Sequence, residues 1–522
     1  MANYDVLIVG CGPSGATLAN ILRKKGHKVA IFDRDKEIFV APRAMTIDGE
    51  SCRIFQSIDI QKRMEEYDAR PYVHHIFVGE KRELLCEFRF GDREGNLGYP
   101  AAGVRFHQPA LEQFLRDDFS LGTGVDPFLG YEVIEVDGTG DQARLSAKNC
   151  DTGKVTEFTG KFIIGADGGG SKTRSYLETE RVDFNYSRQW IVIDILVHDD
   201  DAWNAIHDSS EFMCRPDAAL VFVKGFHNHV RFDFEVTDEQ ARTFTKDDAL
   251  KIIRSYIYVP PEKIEFQRLA PYHFYAGMPR EWSKGRVFLM GDAAHLTSPF
   301  SGQGLCMGIR DAGNLGFKLD LVLSGRVDES FMDTYRAERW DHCEKIIQGA
   351  SERGLMISAS TPIAKFKRWL TFWIGRNLPN LAMEAMRKSS IGFRYEEGLV
   401  GEHDLAGYLM IQSTVALPEG DPILMDHIIG DGFALLTRTA EHSSDLDWFR
   451  DVLGGTVNHI GTDLIDHDGK LTEYFDEHDI DAVLIRPDRY IFDAGPKGSD
   501  LCTGLKQSLM QFAPVGAPCD AA

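Results

Sequence analysis

The chain has little with which to build a covalent scaffold. Its nine cysteines are scattered over 522 residues, with no CxxC and no Cys/His cluster at zinc spacing. That excludes a disulfide framework or a zinc ribbon as the organising principle, and reduced thiols in a cytoplasmic protein are expected. Positive charge is also scarce. Against 80 acidic side chains stand 58 basic ones, a formal charge of −22 that repels nucleic-acid phosphates. Local arginines can still reverse the field inside a pocket, so an anionic small ligand stays open. Long apolar runs are missing too, since no stretch reaches the roughly 18 residues that span a bilayer. The nearest approach, Trp369 to Ile374 (WLTFWI), lies between Lys365, Lys367 and Arg368 on one side and Arg376 on the other. It reads as one face of a helix. The opening MANYDVLIVG runs straight into a buried-strand pattern, which leaves no room for a signal peptide.

What is present points to a large α/β protein. The length predicts two or three packed units. Asp5 to Val9 (DVLIV) is a continuous apolar run, as in a parallel strand buried on both faces. Gly10, Cys11, Gly12, Pro13, Ser14 and Gly15 follow as a GxGxxG, and then comes the helix-like ATLANILRKKG. Gly10 permits the tight turn, Gly12 lets backbone approach a pyrophosphate, and Gly15 allows helix to pack on strand. The helix N-terminus offers free N–H groups and a positive dipole end to phosphates. A second apolar strand, Val29 to Phe32, ends on Asp33 and Arg34. An acid about 20 residues past the glycines is placed to accept hydrogen bonds from a ribose. The pattern predicts a bound dinucleotide.

Two later segments repeat the strand-then-loop theme. FIIGADGGGSKTR (162–174) carries Asp167-Gly168. GRVFLMGDAAHLTSPFSGQGLCMGIRDAGNL (285–315) carries Gly291-Asp292, then a loop from Pro299 through Gly302 and Gln303 to Gly304 and Leu305. An acid at a strand's carboxyl end is where open α/β sheets bind ligands. Gly302 and Gly304 stand at a predicted helix start, whose N–H groups suit an electron-rich ring edge.

With GxGxxG, DG and GD in this order, the chain resembles the group A flavoprotein aromatic hydroxylases, the para-hydroxybenzoate hydroxylase superfamily. PRAMTIDGES, GQGLCMGIRDAGNLGFKL and LAGYLMIQSTV place it nearest the 3-(3-hydroxyphenyl)propionate hydroxylase and phenol 2-monooxygenase branch. The resemblance implies FAD as cofactor, with NADH or NADPH as transient electron donor and O₂ and a small aromatic ring as substrates. The oxygen would pass through a flavin C4a-hydroperoxide. It implies that Asp33 holds the adenosine ribose, with Arg34 beside it as a further cofactor contact, and that Asp292 holds the ribityl chain. Pro299 to Gly304 would run beside the isoalloxazine, with the Pro299 carbonyl accepting from a phenol. Arg43 and Gln108 would lie along the flavin, and Asp167 would serve both FAD and the nicotinamide. Asp48, in an Asp-Gly pair, is the candidate base, given a pKa raised by an apolar pocket. Tyr272 is the candidate beside flavin and substrate, and His295 is read as structural.

The resemblance also implies an architecture. Residues 1–175 and 280–330 would form a Rossmann-like FAD-binding domain, with a mixed-sheet substrate domain inserted at 176–279. WIVIDILV (190–197) and HVRFDFEV (229–236) supply its strand-like runs. A helical segment would span 331–400, and a thioredoxin-like domain lacking CxxC would span 401–522, with a homodimer as the family's habit. Other readings stay open: a hydroxylase of a larger polycyclic or heteroaromatic substrate, another FAD oxidoreductase such as an epoxidase, and a flavin-binding module without catalysis.

Overall fold

The computed structural model describes residues 3–512 apart from 68, 72–73, 80, 90–102, 216–218, 360, 379–380 and 382–393. Its first sheet is built around the apolar run at the start of the chain. The strand Asn3–Val9 lies between Val155–Gly165 and Val29–Asp33, parallel to both. Val6, Leu7 and Ile8 are fully buried, because helices cover the sheet and neither face meets water. Val125–Leu129 and Val287–Leu289 extend the parallel set on either side. A hairpin of Tyr131–Asp137 and Ala143–Asn149 hangs from Val155–Gly165. The parallel strands deliver their carboxyl ends, Gly10, Ala166 and Met290, to one rim.

A second, seven-stranded sheet runs in the order Ile264–Pro279, Arg181–Val197, His229–Val236, Leu220–Lys224, Ser210–Met213, His74–Val78, Leu84–Arg89. It is mixed: Ser210–Met213 pairs parallel with His74–Val78, and the other pairs are antiparallel. Its far edge therefore comes from before residue 90, inside the interval read as cofactor domain. Strand alternation gives the sheet two buried faces. Ile191, Ile193, Val230 and Phe232 pack on Ala249 and Ile253 of the helix Lys246–Tyr256. The alternate residues turn to the other side, towards the first sheet.

Two helices, Asp333–Ile357 and Pro362–Asn377, follow. WLTFWI falls on the second, as expected. Phe372 is buried, while Trp369 and Trp373 stay about half exposed. Among the described residues no helix is long and apolar enough to cross a membrane. The C-terminal unit is a four-stranded sheet, Thr456–His459, Ala434–Thr437, Ala482–Ile485, Ile491–Gly495, whose first pair is parallel and the rest antiparallel. Helices Ser444–Asp451, Lys470–Glu477 and Gly498–Met510 flank it in a thioredoxin-like arrangement.

Candidate active site

The rim of the first sheet and the free face of the second enclose one large cavity of about 2800 Å³. A single small ligand needs on the order of 300–1,000 Å³, so this space can take a dinucleotide and a second molecule. Three backbone surfaces form its cofactor side. The first is Gly12 to Ser14, where the helix Pro13–Lys24 begins with no side-chain cap. A Cβ on Gly12 would meet no protein atom within 4 Å, so this backbone is open to a ligand. The second is Gly168 to Gly170. The third is Gly302 to Leu305, where the 21-residue helix Gln303–Leu323 also begins uncapped. Two positive helix ends thus face one space, which suits a pyrophosphate and an electron-rich ring.

The remaining glycines of the first motif serve packing. Gly10 has φ +107°, and a Cβ there would stand 2.3 Å from the Ala166 carbonyl oxygen. A Cβ on Gly15 would come within 2.2 Å of the Gly10 carbonyl oxygen. Asp33 holds the turn through hydrogen bonds from Cys11 N (2.8 Å) and Asp35 N (3.0 Å). Arg34, a predicted cofactor contact, lies outside the cavity wall, exposed and 3.6 Å from Asp35.

Asp292 lines the cavity at the end of its strand, and enclosure by protein raises its pKa, against the pull of His295, Arg43 and Arg174. The turn carrying it is fixed from behind. Asp311 accepts from Gly291 N (2.8 Å), His295 Nε2 (2.6 Å) and Arg339 Nε (2.9 Å). His295 therefore anchors the turn. Arg43 is exposed in the cavity wall. Gln108 works as a bracket: its Oε1 accepts from Arg43 N (2.8 Å) and Ala44 N (2.6 Å), and its Nε2 donates to Glu112 (2.8 Å). The Pro299 carbonyl already accepts from Gly302 N at 3.1 Å. Tyr272 lines the cavity half-exposed, 4.7 Å from the Phe274 ring, with its phenol pKa raised chiefly by burial.

One expectation needs correction. Asp48 does not have the raised pKa that a base at this point requires. It caps the helix Gly49–Ser57, accepting from Ser51 N (3.0 Å) and Ser51 Oγ (2.8 Å), and is ion-paired with Arg310. Burial pushes its pKa up, but Arg310 and the Ser51 hydrogen bonds outweigh that and hold it below the ordinary value. Arg310 also grips Glu50 (2.5 Å) and Gln303 (2.9 Å), so Asp48 positions the loop beside the helix start. Asp48→Asn is expected to cost about 1–3 kcal/mol of stability by denaturant unfolding, because it strips charge from a buried ion pair. Asp167, for its part, spends its carboxylate on Ser171 Oγ (2.5 Å), Lys172 N (2.9 Å) and Thr173 N (3.0 Å). It organises the glycine loop, and its neighbours line the cavity.

The substrate-side face holds residues that motif reading did not single out. Arg231, Arg268 and His229 converge on fully buried Asp194, at 2.9, 2.6 and 2.8 Å. Arg231 and Arg268 reach on to the Pro42 carbonyl, pinning the segment that presents Arg43. The signal was in HVRFDFEV, where His229, Arg231 and Asp233 alternate with Val230, Phe232 and Phe234.

The FAD binding domain family model matches residues 3–350, two thirds of the chain. The chain belongs to the FAD-dependent aromatic hydroxylase family. The HcaD C-terminal domain model matches residues 407–503. Among curated relatives, the chain is 30% identical to a 3-(3-hydroxy-phenyl)propionate/3-hydroxycinnamic acid hydroxylase of Mycolicibacterium gilvum (strain PYR-GCK), over 97% of this chain and 92% of that one. It is 29% identical to a probable NADH-specific resorcinol 4-hydroxylase of Rhodococcus jostii (strain RHA1), over 98% and 96%. In fold it is similar to aklavinone-11 hydroxylase in complex with FAD and aklavinone (TM-score 0.78, 20% identity, 97% and 99% covered). The OxyS anhydrotetracycline hydroxylase from Streptomyces rimosus matches comparably (TM-score 0.77, 20% identity, 98% and 100% covered). In this flavoprotein hydroxylase the three glycine-lined surfaces, Gly12 to Ser14, Gly168 to Gly170 and Gly302 to Leu305, fit FAD.

Proposed function

We propose that the enzyme consumes NADH or NADPH and inserts one atom of O₂ into a phenolic ring. The observation that carries this reading is the continuity of the cavity. The FAD side opens directly onto a sheet face where Phe77, Phe212, Val221 and Phe274 supply ring contacts beside the polar groups of Arg231, Asp233 and Arg268. The two full-length relatives bear the names of hydroxylases of resorcinol and of 3-hydroxyphenyl acids, which supports a phenol. FAD, reduced by the nicotinamide donor, supplies activated oxygen when bound. The protein's own task is to hold a ring against it, exclude water and keep the ring electron-rich. Tyr272 is placed to donate a hydrogen bond at the junction of the two sides. Tyr272→Phe is expected to leave FAD binding intact and weaken phenol binding about 5–10-fold, the worth of one hydrogen bond, read by flavin absorbance titration.

A second reading, a larger polycyclic substrate, is favoured by the cavity's volume, which exceeds what FAD and a single ring fill. The test is NADH and NADPH consumption by FAD-loaded protein against simple phenols, hydroxyphenylpropionates and polycyclic phenols, with oxygen uptake and product mass followed together. Stimulated turnover with a gain of one oxygen is expected, and the active ring size separates the two readings. Unstimulated oxidation that yields peroxide alone across the panel would overturn both.

A further inference from the structure

The second sheet places one carboxylate where the fold gives it no structural employment. Asp233 is nine-tenths buried, lines the cavity, and its Oδ1 has no hydrogen-bond partner. Strand register shows how unusual its position is. Asp233 stands opposite Val192 on one side and Val221 on the other, and that row continues to Ala270 and Phe212. It is the one polar member of an apolar row. The row beside it, Arg268, Asp194 and Arg231, is ionic, but its arginines are already engaged by Asp194 and the Pro42 carbonyl. A buried carboxylate oxygen without a donor costs free energy that a valine would not, so its presence in an apolar row on the cavity wall calls for a ligand that donates to this side chain.

We propose that Asp233 accepts the proton of the substrate's phenolic hydroxyl, an inference that rests on the hydroxylase reading. The phenol O–H bond breaks as a carboxyl O–H bond forms. The electron pair left on oxygen raises the nucleophilicity of the ring, and the proton returns to the product's oxygen before release. The electrostatics agree with the geometry. Burial, with Asp194 adding to it, raises the Asp233 pKa to about 6 against the pull of Arg231 and Arg268. The other charged groups around it are already engaged. Glu235, next on the same strand face, is held by Ser358 and Arg188. Across the cavity Lys345 pairs with Glu396, and Arg353 donates to the Phe300 carbonyl. Asp233 is thus ionised above about pH 6 and protonated, hence unable to act as base, below it. This matches a general base near the operating pH.

The test uses FAD-loaded wild type and Asp233→Asn with resorcinol and 3-(3-hydroxyphenyl)propionate, first without any reductant. Binding of the phenol, followed by flavin absorbance spectra, is expected to tighten in the wild type as pH rises through about 6, where the carboxylate becomes the acceptor, and to ignore pH in the variant. In turnover, Asp233→Asn is expected to lose about 100-fold or more in kcat and the acid limb near pH 6, which Asp48→Asn retains. A fluorinated phenol already ionised in solution should recover most of the variant's rate. Phenol binding that ignores pH in the wild type, or a variant that keeps the acid limb, would overturn the proposal. Should Asp233→Asn fail to fold, the wild-type spectra and the fluorophenol series decide alone, since an acid limb that follows the substrate's own pKa contradicts a protein base. If no phenol binds or stimulates turnover, the hydroxylase reading itself falls, and this inference with it.

Discussion

Gly12→Val is expected to abolish FAD retention while leaving the apoprotein's thermal midpoint close to wild type. Gly12 has φ −75° and ψ 178°, an extended conformation that valine adopts freely. A Cβ there meets no protein atom within 4 Å. The added methyls can therefore project only into the space the pyrophosphate needs. Affinity for FAD should fall at least about 100-fold, about 2.7 kcal/mol, in a flavin fluorescence titration. Gly10→Ala is expected to fail differently. At φ +107° the alanine is strained by about 1–3 kcal/mol, and its Cβ stands 2.3 Å from the Ala166 carbonyl oxygen. That pushes apart the ends of two adjacent parallel strands, so the apoprotein itself should melt earlier. Unchanged FAD affinity in Gly12→Val would mean the pyrophosphate does not pass this backbone.

The contrast between these two glycines reflects how much of the site a linear reading reaches. Strand, turn and helix in the first motif are local, and their hydrophobic period and spacing carry them. The GD turn and the helix after it are local as well. Asp48 is not. Its state is decided by Arg310, 262 residues further on, and an Asp-Gly pair carries no sign of that partner. Read alone it looks like a turn acid free to become a base, whereas folded it is a salt-bridged helix cap. Asp233 fails in the opposite direction. The alternation in HVRFDFEV marks two faces, but both are buried in this sheet, so a period of two cannot say which one lines a cavity. Only the pairing of five strands places that acid among valines and phenylalanines.

The largest expected effect on stability lies where the C-terminal unit meets the cofactor domain, at Arg486. Its guanidinium is fully buried, 2.7 Å from both Glu338 and Asp488, and donates to the Leu399 carbonyl at 2.8 Å. Glu338 also accepts from Lys318 Nζ (2.9 Å), Asn314 Nδ2 (2.6 Å) and Leu399 N (2.8 Å). Burial alone would raise the Glu338 pKa, but Arg486 and Lys318 bring it down to about 2. Arg486→Ala leaves two buried carboxylates short of a cation and is expected to cost about 3–5 kcal/mol in denaturant unfolding. Arg486→Met combined with Asp488→Asn should cost less, because Glu338 keeps Lys318 as its counterion and no stranded charge remains. The pH dependence follows from the lowered pKa of Glu338. Its contribution, on the order of 3 kcal/mol, is fully present above about pH 4.5 and is lost as pH falls towards 2, so Glu338→Gln should flatten the acid side of the stability curve. Asn314 and Lys318 sit on the same helix whose first turn, Gln303 to Leu305, lines the flavin side of the cavity. Loosening this joint should therefore release FAD at a lower temperature, and flavin fluorescence recorded during the melt would detect it. If Arg486→Ala unfolded within about 1 kcal/mol of wild type and kept its flavin to the same temperature, the joint would be held by its other contacts, such as the buried Arg53–Asp426 pair.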